Sequence, residues 1–284
     1  MEKANSAVLG VDVGGTKIKA GRVLGKEVVQ SHLSKVNRMD AADTTLSKLF
    51  HVIDAVLTDE VEAIGIGVPA VVDPDLGVVY DVQNIPSWKE VPLKALVQKQ
   101  FDLPVHLNND ANCFALGEHH FGKARQYKNC AALSLGTGLG MGIIIENKLY
   151  NGVLCGAGEV GMLPYKDGIL EQYAGSFFFE TAYGATAKDL YQKALDNNAT
   201  ALTAFGEYGA HLGEAVKAIL YLFAPESIIL GGSISKAYPF FKETLQGALD
   251  SFAYQKQLKN FKLETSDLMD SPILGAAALC LQSE

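Results

Sequence analysis

Residues 8–21, VLGVDVGGTKIKAG, predict two strands joined by a tight glycine turn. The first strand is apolar and runs into Asp12, and apolar residues alternate again from Ile18 onward. Glycines at such a turn let backbone N–H groups approach a bulky anion, because no Cβ stands in the way. Asp12 and Thr16 lie at the bend, where a carboxylate and a hydroxyl suit phosphate oxygens and Mg²⁺. An ordinary glycine hairpin explains the two glycines at least as well, so this interpretation needs a second signal.

A similar pattern returns further along the chain. Residues 131–135 are apolar, Gly136 to Gly138 form a turn, and residues 141–146 are apolar again. These glycines look like a dinucleotide fingerprint, but that motif needs a helix directly after them, and the β-branched Ile143–Ile145 favours a strand. A P-loop is excluded because no Gly-Lys-Ser/Thr follows a glycine-rich loop. The two stretches therefore predict a pair of phosphate-gripping hairpins.

The two hairpins divide the chain into two loosely similar halves. Its 284 residues are enough for two α/β lobes with a cleft between them. We expect a small N-terminal lobe over residues 1–110, with a C-terminal helix in 270–284 packed on it, and a large lobe over 111–269. Further predicted elements are helices over 43–57, 92–101, 111–120 and within 177–222, strands over 63–68, 105–107 and 227–230, and a short hairpin over 77–82.

Composition excludes several classes of protein. Hydrophobic residues make up 48% and charged residues 20% of the chain, which is typical of a soluble globular protein. The formal net charge of −8 disfavours nucleic-acid binding, and no apolar run approaches membrane-spanning length. The four cysteines form no C-x-x-C motif or Cys/His cluster, so neither a zinc site nor a disulfide framework is indicated. We expect a cytoplasmic protein with no nucleic-acid or membrane partner.

Asp110 is the candidate general base. It follows a short predicted strand and two asparagines, and a carboxylate placed there can take a proton from an alcohol that attacks phosphorus. The alternative is that Asp110 only caps the next helix, and the local pattern favours neither interpretation. Asn84, Glu159 and Glu171 occur in loops marked by glycine or proline and could recognise sugar hydroxyls, which both donate and accept. Taken singly, each of these three is more readily a turn or surface residue.

Together these features resemble the ROK family of sugar kinases, within the actin–hexokinase–Hsp70-like ATPase superfamily. The resemblance runs through nearly the whole chain. Its motifs are DVGGTK at 12–17, GIGVP at 65–69, NIPSW at 84–88, NDAN at 109–112, LGTGLG at 135–140, GAGEVG at 156–161 and LGGS at 230–233. It implies a two-lobed ribonuclease-H-like, actin-like ATPase fold that closes on a sugar and on ATP with Mg²⁺. It also implies a homodimer.

The resemblance assigns roles to individual residues. Asp110 would be the general base that takes the proton from a hexose 6-hydroxyl, and Asp12 would act near Mg²⁺ and the phosphates. The residues implied to hold the sugar are Asn84, Asn109, Asp110, Glu159 and Glu171. The residues implied to hold the nucleotide are Asp12, Gly14, Gly15, Thr16, Lys17, Thr137, Gly138, Gly231 and Gly232.

The chain departs from the family pattern in the segment that is implied to contact the sugar. The family usually has a histidine directly after Gly-Glu-Val-Gly and then a cysteine-rich zinc loop. Here Met162 stands at the histidine position, and residues 163–170 contain no cysteine. Methionine cannot bind Zn²⁺ as imidazole does, so we expect no structural zinc. The family histidine also touches the sugar near its 1- and 2-positions, which leaves the identity of the sugar open. Ser87 in place of the usual glycine is a smaller departure.

The leading hypothesis is an ATP-dependent kinase that phosphorylates the 6-hydroxyl of a hexose, either glucose or a close relative. A kinase for an N-acetylhexosamine or for fructose, and a polyphosphate-dependent glucokinase, are alternatives within that class. A sugar-sensing regulator without catalysis is the alternative from another class. Such regulators carry an N-terminal helix-turn-helix domain, whereas only a short segment precedes the first predicted strand here. A kinase that forms an acyl phosphate fits less well, because the candidate pocket groups suit polyols.

Overall fold

The structure is a computed structural model that describes residues 7–82 and 84–282. The strands, in chain order, are β1 (Ala7–Val13), β2 (Lys17–Leu24), β3 (Glu27–Lys35), β4 (Val61–Val68), β5 (Val71–Asp73), β6 (Val78–Tyr80), β7 (Glu90–Val91), β8 (Val105–Asn109), β9 (Cys130–Leu135), β10 (Leu139–Ile145), β11 (Lys148–Leu149), β12 (Pro164–Tyr165), β13 (Gly168–Ile169), β14 (Ser227–Gly231) and β15 (Lys262–Thr265). The helices are α1 (Ala42–Asp54), α2 (Leu93–Phe101), α3 (Asp110–His120), α4 (Leu170–Ala174), α5 (Phe177–Tyr183), α6 (Ala187–Leu195), α7 (Ala199–Phe223), α8 (Tyr238–Leu249), α9 (Gln255–Leu258) and α10 (Ser271–Ala278). No helix in the described part of the chain is both long and apolar enough to cross a membrane.

The chain folds as two compact units. The first unit contains the described parts of Met1–Arg125, Lys148–Ala157 and Leu268–Glu284, and the second contains Gln126–Asn147 and Gly158–Asp267. Residues 111–125 and 148–157 thus pack with the first unit, although the expected division placed them in the larger lobe. The reason lies in α3, which packs closely on α10.

The first unit is built on a five-stranded sheet in the order β3-β2-β1-β4-β8. β1, β2 and β3 are antiparallel neighbours, which confirms the predicted glycine hairpin, while β4 and β8 run parallel to β1. Because the three parallel strands end at the same edge, Asp12 pairs with Gly67 and Gly67 pairs with Asn108. This register brings the end of the opening strand close to the start of α3.

Glycines bring α10 unusually close to this sheet. A Cβ at Gly10 would overlap the carbonyl oxygen of Ile273, and a Cβ at Gly65 would overlap that of Ala276. A Cβ at Gly117 of α3 would lie 2.8 Å from the Cα of Gly275. Close packing of sheet, α3 and α10 therefore depends on residues without a side chain.

The prediction of a short hairpin over residues 77–82 is wrong, because the strands that pair lie elsewhere. β5 and β6 pair instead, and β7 adds a third strand. The turn lies before Gly77, whose N–H donates to the carbonyl of Asp73 at 2.8 Å and whose φ is +70°. Glycine at a positive φ marks the end of this turn rather than the start of the next one.

The second unit contains a sheet with the strands β10-β9-β14-β15 in that order. β9 and β10 form the second predicted hairpin, and β14 and β15 are parallel to β9. The predicted helical insertion is also confirmed, because it contains α5, α6 and the 25-residue α7. Aromatic contacts hold α5, α7 and α8 together: the rings of Phe179 and Tyr208 stack at 5.1 Å, and those of Tyr208 and Phe241 meet edge to face at 5.3 Å.

Candidate functional site

Two carboxylates lie at the edge of the first sheet. Asp12 stands near the end of β1, and Asp110 begins α3 directly after β8. A Cβ at Gly67 would lie only 3.8 Å from the Cα of Asp110, so glycine at this position allows α3 to start close to β4. The carboxyl ends of parallel strands are the usual place for ligands in α/β sheets.

Burial changes the acidity of both carboxyl groups. Burial, and after it the negative charge of Asp110, raise the pKa of Asp12 to about 6, although Lys17 and Lys19 act in the opposite direction. Burial also raises the pKa of Asp110, while N–H donation from Ala111 lowers it. Asp110 nevertheless keeps an accessible surface. A carboxylate crowded by protein and still open to water is typical of the floor of a depression where a substrate binds.

The N-cap of α3 is Asn109, so the interpretation of Asp110 as the helix cap is wrong. Asn109 Oδ1 accepts from the N–H of Ala111 at 2.9 Å, and its Nδ2 donates to the carbonyl of Ala70 at 3.3 Å. Asp110 Oδ1 accepts from the same N–H at 2.9 Å. Because Asn109 already supplies the cap, Asp110 is not required for that structural role.

The turn after Asp12 has the form expected of an anion cradle. The N–H of Gly14 donates to the carbonyl of Lys17 at 2.9 Å, and Thr16 and Lys17 are exposed. A Cβ at Gly15 would overlap the Cβ of Asn84, so Asn84 lies directly against this turn. A half-buried carboxylate, a hydroxyl, an ammonium group and a glycine backbone fit a phosphate chain with Mg²⁺, which prefers oxygen ligands.

The second unit arranges another group of candidate residues around its own glycine turn. The N–H of Gly136 donates to the carbonyl of Gly138 at 3.1 Å, and Thr137 is exposed. Glu171 Oε2 accepts from the N–H of Leu139 at 2.9 Å, and a Cβ at Gly138 would overlap this carboxylate. Glu171 therefore contacts the turn itself.

Gly231 and Gly232 lie beside the same turn. Gly231 pairs with Ser134 of β9, and Gly232 has a φ of +83°. A Cβ at Gly232 would overlap the carbonyl of Leu135, directly before the turn. These glycines allow the end of β14 to approach the end of β9, so the structure brings together Thr137, Gly138, Glu171, Gly231 and Gly232.

Glu159 is the remaining candidate residue of the second unit. It is exposed, and it lines a largely apolar pocket of about 190 Å³ together with Met141, Leu163 and Phe223. Gly161, two residues later, approaches Glu171, since a Cβ at Gly161 would lie 3.3 Å from the Cβ of Glu171. Met162, at the position where the resemblance led us to expect a histidine, is 58% exposed, so its thioether is not a core group.

The segment that replaces the family's cysteine-rich loop is a small hairpin, β12 and β13. The hydroxyl of Tyr165 hydrogen-bonds Nδ1 of His211 at 3.0 Å, and the ammonium group of Lys166 lies 4.9 Å from the ring centroid of Tyr173. No group of three or more His, Cys, Asp or Glu side chains is placed to hold a metal ion within residues 7–82 and 84–282.

We predict that the purified protein contains no stoichiometric zinc, because a hydrogen bond and edge-to-face and cation–π contacts hold this hairpin. Elemental analysis by mass spectrometry should find well under one zinc per chain, and EDTA should leave the Tm unchanged. One tightly bound zinc per chain, with a lower Tm after chelation, would overturn the prediction.

Asp12→Asn should stabilise the fold at neutral pH. The folded chain binds the Asp12 proton more tightly than the unfolded chain, because its pKa rises from 3.8 to about 6. The free energy of unfolding therefore falls as pH rises through this window, and a neutral asparagine avoids that loss. We expect a gain of about 1–3 kcal/mol at pH 8 that disappears below about pH 4. Urea denaturation at both pH values measures it. The exposed Asp59→Asn is the control, and an equal gain at both pH values would contradict the prediction.

Comparisons with known proteins agree with this architecture. A sequence profile described as "ROK family" matches residues 8–283. The xylose repressor of Caldicellulosiruptor bescii is 32% identical over 248 residues, which are 77% of this chain and 62% of the repressor, so the chain spans less than two thirds of that relative. The glucokinase of Halalkalibacterium halodurans is 28% identical over 315 residues, covering 97% of this chain and 95% of the enzyme.

A solved structure extends the comparison to the fold. The crystal structure of a ROK family glucokinase from Streptomyces griseus, in complex with glucose and AMPPNP, superposes with a TM-score of 0.80 at 26% identity. The match covers 96% of this chain and 98% of that enzyme. The predicted fold class, the α/β actin-like ATPase fold, is thereby confirmed.

Proposed function

The chain belongs to the ROK family, and from that premise we propose that it is a kinase transferring a phosphoryl group from ATP to the 6-hydroxyl of a hexose, glucose or a close relative. The observation that carries the proposal is the position of Asp110. Its carboxylate is crowded yet accessible, follows the last strand of the sheet, and interacts electrostatically with Asp12 at the end of β1. A non-catalytic sugar sensor has no need for two carboxylates that burial holds at raised pKa.

Asp110 acts in this proposal on the proton of the sugar hydroxyl. As the hydroxyl oxygen attacks the γ-phosphorus, the carboxylate accepts the proton, and the oxygen gains the negative charge needed to form the new bond. The raised pKa of Asp110 makes it a stronger base than an ordinary aspartate. Asn109 fixes the backbone on which this carboxylate stands.

Asp12 and the turn after it act on the phosphates. The carboxylate of Asp12 would hold Mg²⁺, directly or through water, and the ion would neutralise charge on the nucleotide. The N–H group of Gly15, the hydroxyl of Thr16 and the ammonium group of Lys17 would hold phosphate oxygens, while Gly14, whose own N–H donates to the carbonyl of Lys17, would shape the turn around them. We assign Thr137, Gly138, Gly231 and Gly232 to the nucleotide as well, supported by their common position around the second turn.

The sugar ligands proposed are Asn84, Asn109, Asp110, Glu159 and Glu171. Asn84 is supported by its contact with Gly15, which places an amide beside the phosphate turn. Asn109 is supported by its long 3.3 Å bond to Ala70, which a sugar hydroxyl could replace. Met162 at the family's histidine position leaves fewer polar groups for the sugar's 1- and 2-positions, so an N-acetylhexosamine or fructose is the alternative substrate.

A sugar-responsive regulator is the second candidate function, because the xylose repressor of C. bescii is 32% identical to this chain. Such a protein would bind a sugar without turning it over. The formal net charge of −8 favours the kinase, since DNA repels a negatively charged surface. We further propose a cytoplasmic homodimer with no nucleic-acid or membrane partner; the negative charge supports only the exclusion of nucleic acid.

A coupled assay of ADP release tests the proposal. Each reaction contains ATP, Mg²⁺ and one sugar: glucose, mannose, fructose, N-acetylglucosamine, N-acetylmannosamine or xylose. The assay is then repeated with polyphosphate in place of ATP, and formation of phosphorylated sugar is measured. We expect one hexose to be preferred, with ATP as donor. If calorimetry shows that a sugar binds, but neither ATP nor polyphosphate phosphorylates it, the result would instead favour the regulator.

A further inference from the structure

Three asparagine side chains form a hydrogen-bonded chain beside Asp110. Asn112 Nδ2 donates to Asn108 Oδ1 at 2.9 Å, and Asn108 Nδ2 donates to Asn151 Oδ1 at 2.9 Å. Asn108 Oδ1 also accepts from the N–H of Asn109 at 2.8 Å. Asn108 and Asn112 are buried, being 2% and 1% exposed. Buried amides in such a network fix one another's orientation, because an unmade hydrogen bond costs more there than in water.

The network joins residues on both sides of Asp110 in the sequence. Asn108 Oδ1 joins the backbone one residue before Asp110 to a side chain two residues after it. Asn108 is thus the hub of the junction between β8 and α3, the junction on which the carboxylate stands. Through its side chain, Asn108 also donates to Asn151, which lies in the separate segment Lys148–Ala157 of the first unit. Asn151 therefore holds the side chain of Asn108 from a different segment of the chain.

The loop that carries Asn151 is strained and held at several points. Gly152, Leu154 and Cys155 all have positive φ, of 65°, 53° and 57°. Non-glycine residues in this region cost free energy and persist where neighbouring contacts determine the backbone. One such contact is the N–H of Ala157 on the carbonyl of Asn151 at 3.0 Å. Another joins the Cys155 thiol to the backbone of Asn109 and lowers the Cys155 pKa against the effect of burial.

We infer that Asn151 and Asn108 are positioning residues for Asp110, and that the strained loop exists to hold Asn151 in place. A general base must point at the proton it removes, and a displacement of about 1 Å can cost about 100-fold in rate. The inference rests on the proposed function, since only a reacting carboxylate needs this precision. It adds to that function two residues that touch neither sugar nor nucleotide.

The test compares two substitutions of nearly the same size. Asn151→Leu removes the acceptor for Asn108 Nδ2, whereas Asn151→Asp keeps an oxygen there. We expect Asn151→Leu to lower kcat about 10- to 100-fold, with the sugar KM changed less than about threefold. Asn151→Asp should recover most of kcat at the pH optimum, and the exposed Asn260→Leu should behave as wild type. Equal kcat losses in the Leu and Asp variants, or a loss seen only in KM or Tm, would overturn the inference.

A second measurement needs no activity. Amide hydrogen exchange is followed in a peptide spanning residues 107–114, in wild type and in Asn151→Leu, without ligands. Faster exchange in this peptide alone supports positioning by Asn151, and unchanged exchange contradicts it. If the wild-type protein phosphorylates no sugar, the proposed function fails, while the exchange result still decides whether Asn151 orders the Asp110 junction.

Discussion

Asp110→Asn should lower kcat for hexose phosphorylation by about two to four powers of ten, the usual scale for loss of a general base. Asparagine has nearly the same size as aspartate. It keeps an oxygen that can accept from the N–H of Ala111, as Asp110 Oδ1 does in the wild type at 2.9 Å. It cannot take the proton of the sugar hydroxyl. Because Asn109 caps α3, the helix should start at the same residue in the variant.

Three measurements on Asp110→Asn separate chemistry from folding. ADP release gives kcat, calorimetry gives the Kd for the sugar, and thermal unfolding gives the Tm. We expect only kcat to fall steeply, while the exposed Asp59→Asn leaves all three unchanged. Undiminished turnover in Asp110→Asn would remove Asp110 from the mechanism.

Gly65→Ala should destabilise the first unit by about 2–3 kcal/mol, the scale of an overpacked core. The added Cβ would overlap the carbonyl oxygen of Ala276, which is backbone within α10 and cannot rotate away. Relief requires α10 to move off β4, which disturbs a contact that also involves Gly10 and Ile273. Urea denaturation measures the loss as a lower free energy of unfolding.

Gly247→Ala is the matched control for this substitution. Gly247 lies in α8, and nothing stands within 4 Å of a Cβ added there. Alanine in an open helical position should raise stability by up to about 1 kcal/mol, because it loses less backbone entropy on folding. Equal stability changes in Gly65→Ala and Gly247→Ala would show that α10 does not depend on the glycine contact.

The sequence predicted most of the local structure of the first sheet. The hairpin of β1 and β2 follows from alternating apolar residues around Gly14 and Gly15, and both strands are found there. The start of α3 was ambiguous, because Asn109 and Asp110 are both good capping residues, and only the geometry at Ala111 decides between them. A C-terminal helix packed on this part of the chain was expected, but the glycines that α10 contacts were not identified, since no local pattern tells which glycines of a strand face a helix.

The residues of the candidate site were also predicted only in part. Asp12 and Asn84 were selected as polar residues near glycine or proline, and Asp110 as an acid that follows a predicted strand and two asparagines. The structure brings Asn84 against the first turn. Gly67 was missed as a site residue, although a glycine inside a buried apolar strand is itself a signal of close backbone approach. Asn151 carried no such signal, because its role depends on a left-handed loop and on a partner 43 residues away in sequence.

The most direct test of the account is the identity of the reaction products. ³¹P NMR of the protein with ATP, Mg²⁺ and the preferred hexose should show one hexose 6-phosphate formed for each ADP, and Asp110→Asn should form neither on the same timescale. ADP without sugar phosphate, phosphate on another carbon, or a bound hexose that is never phosphorylated would contradict it.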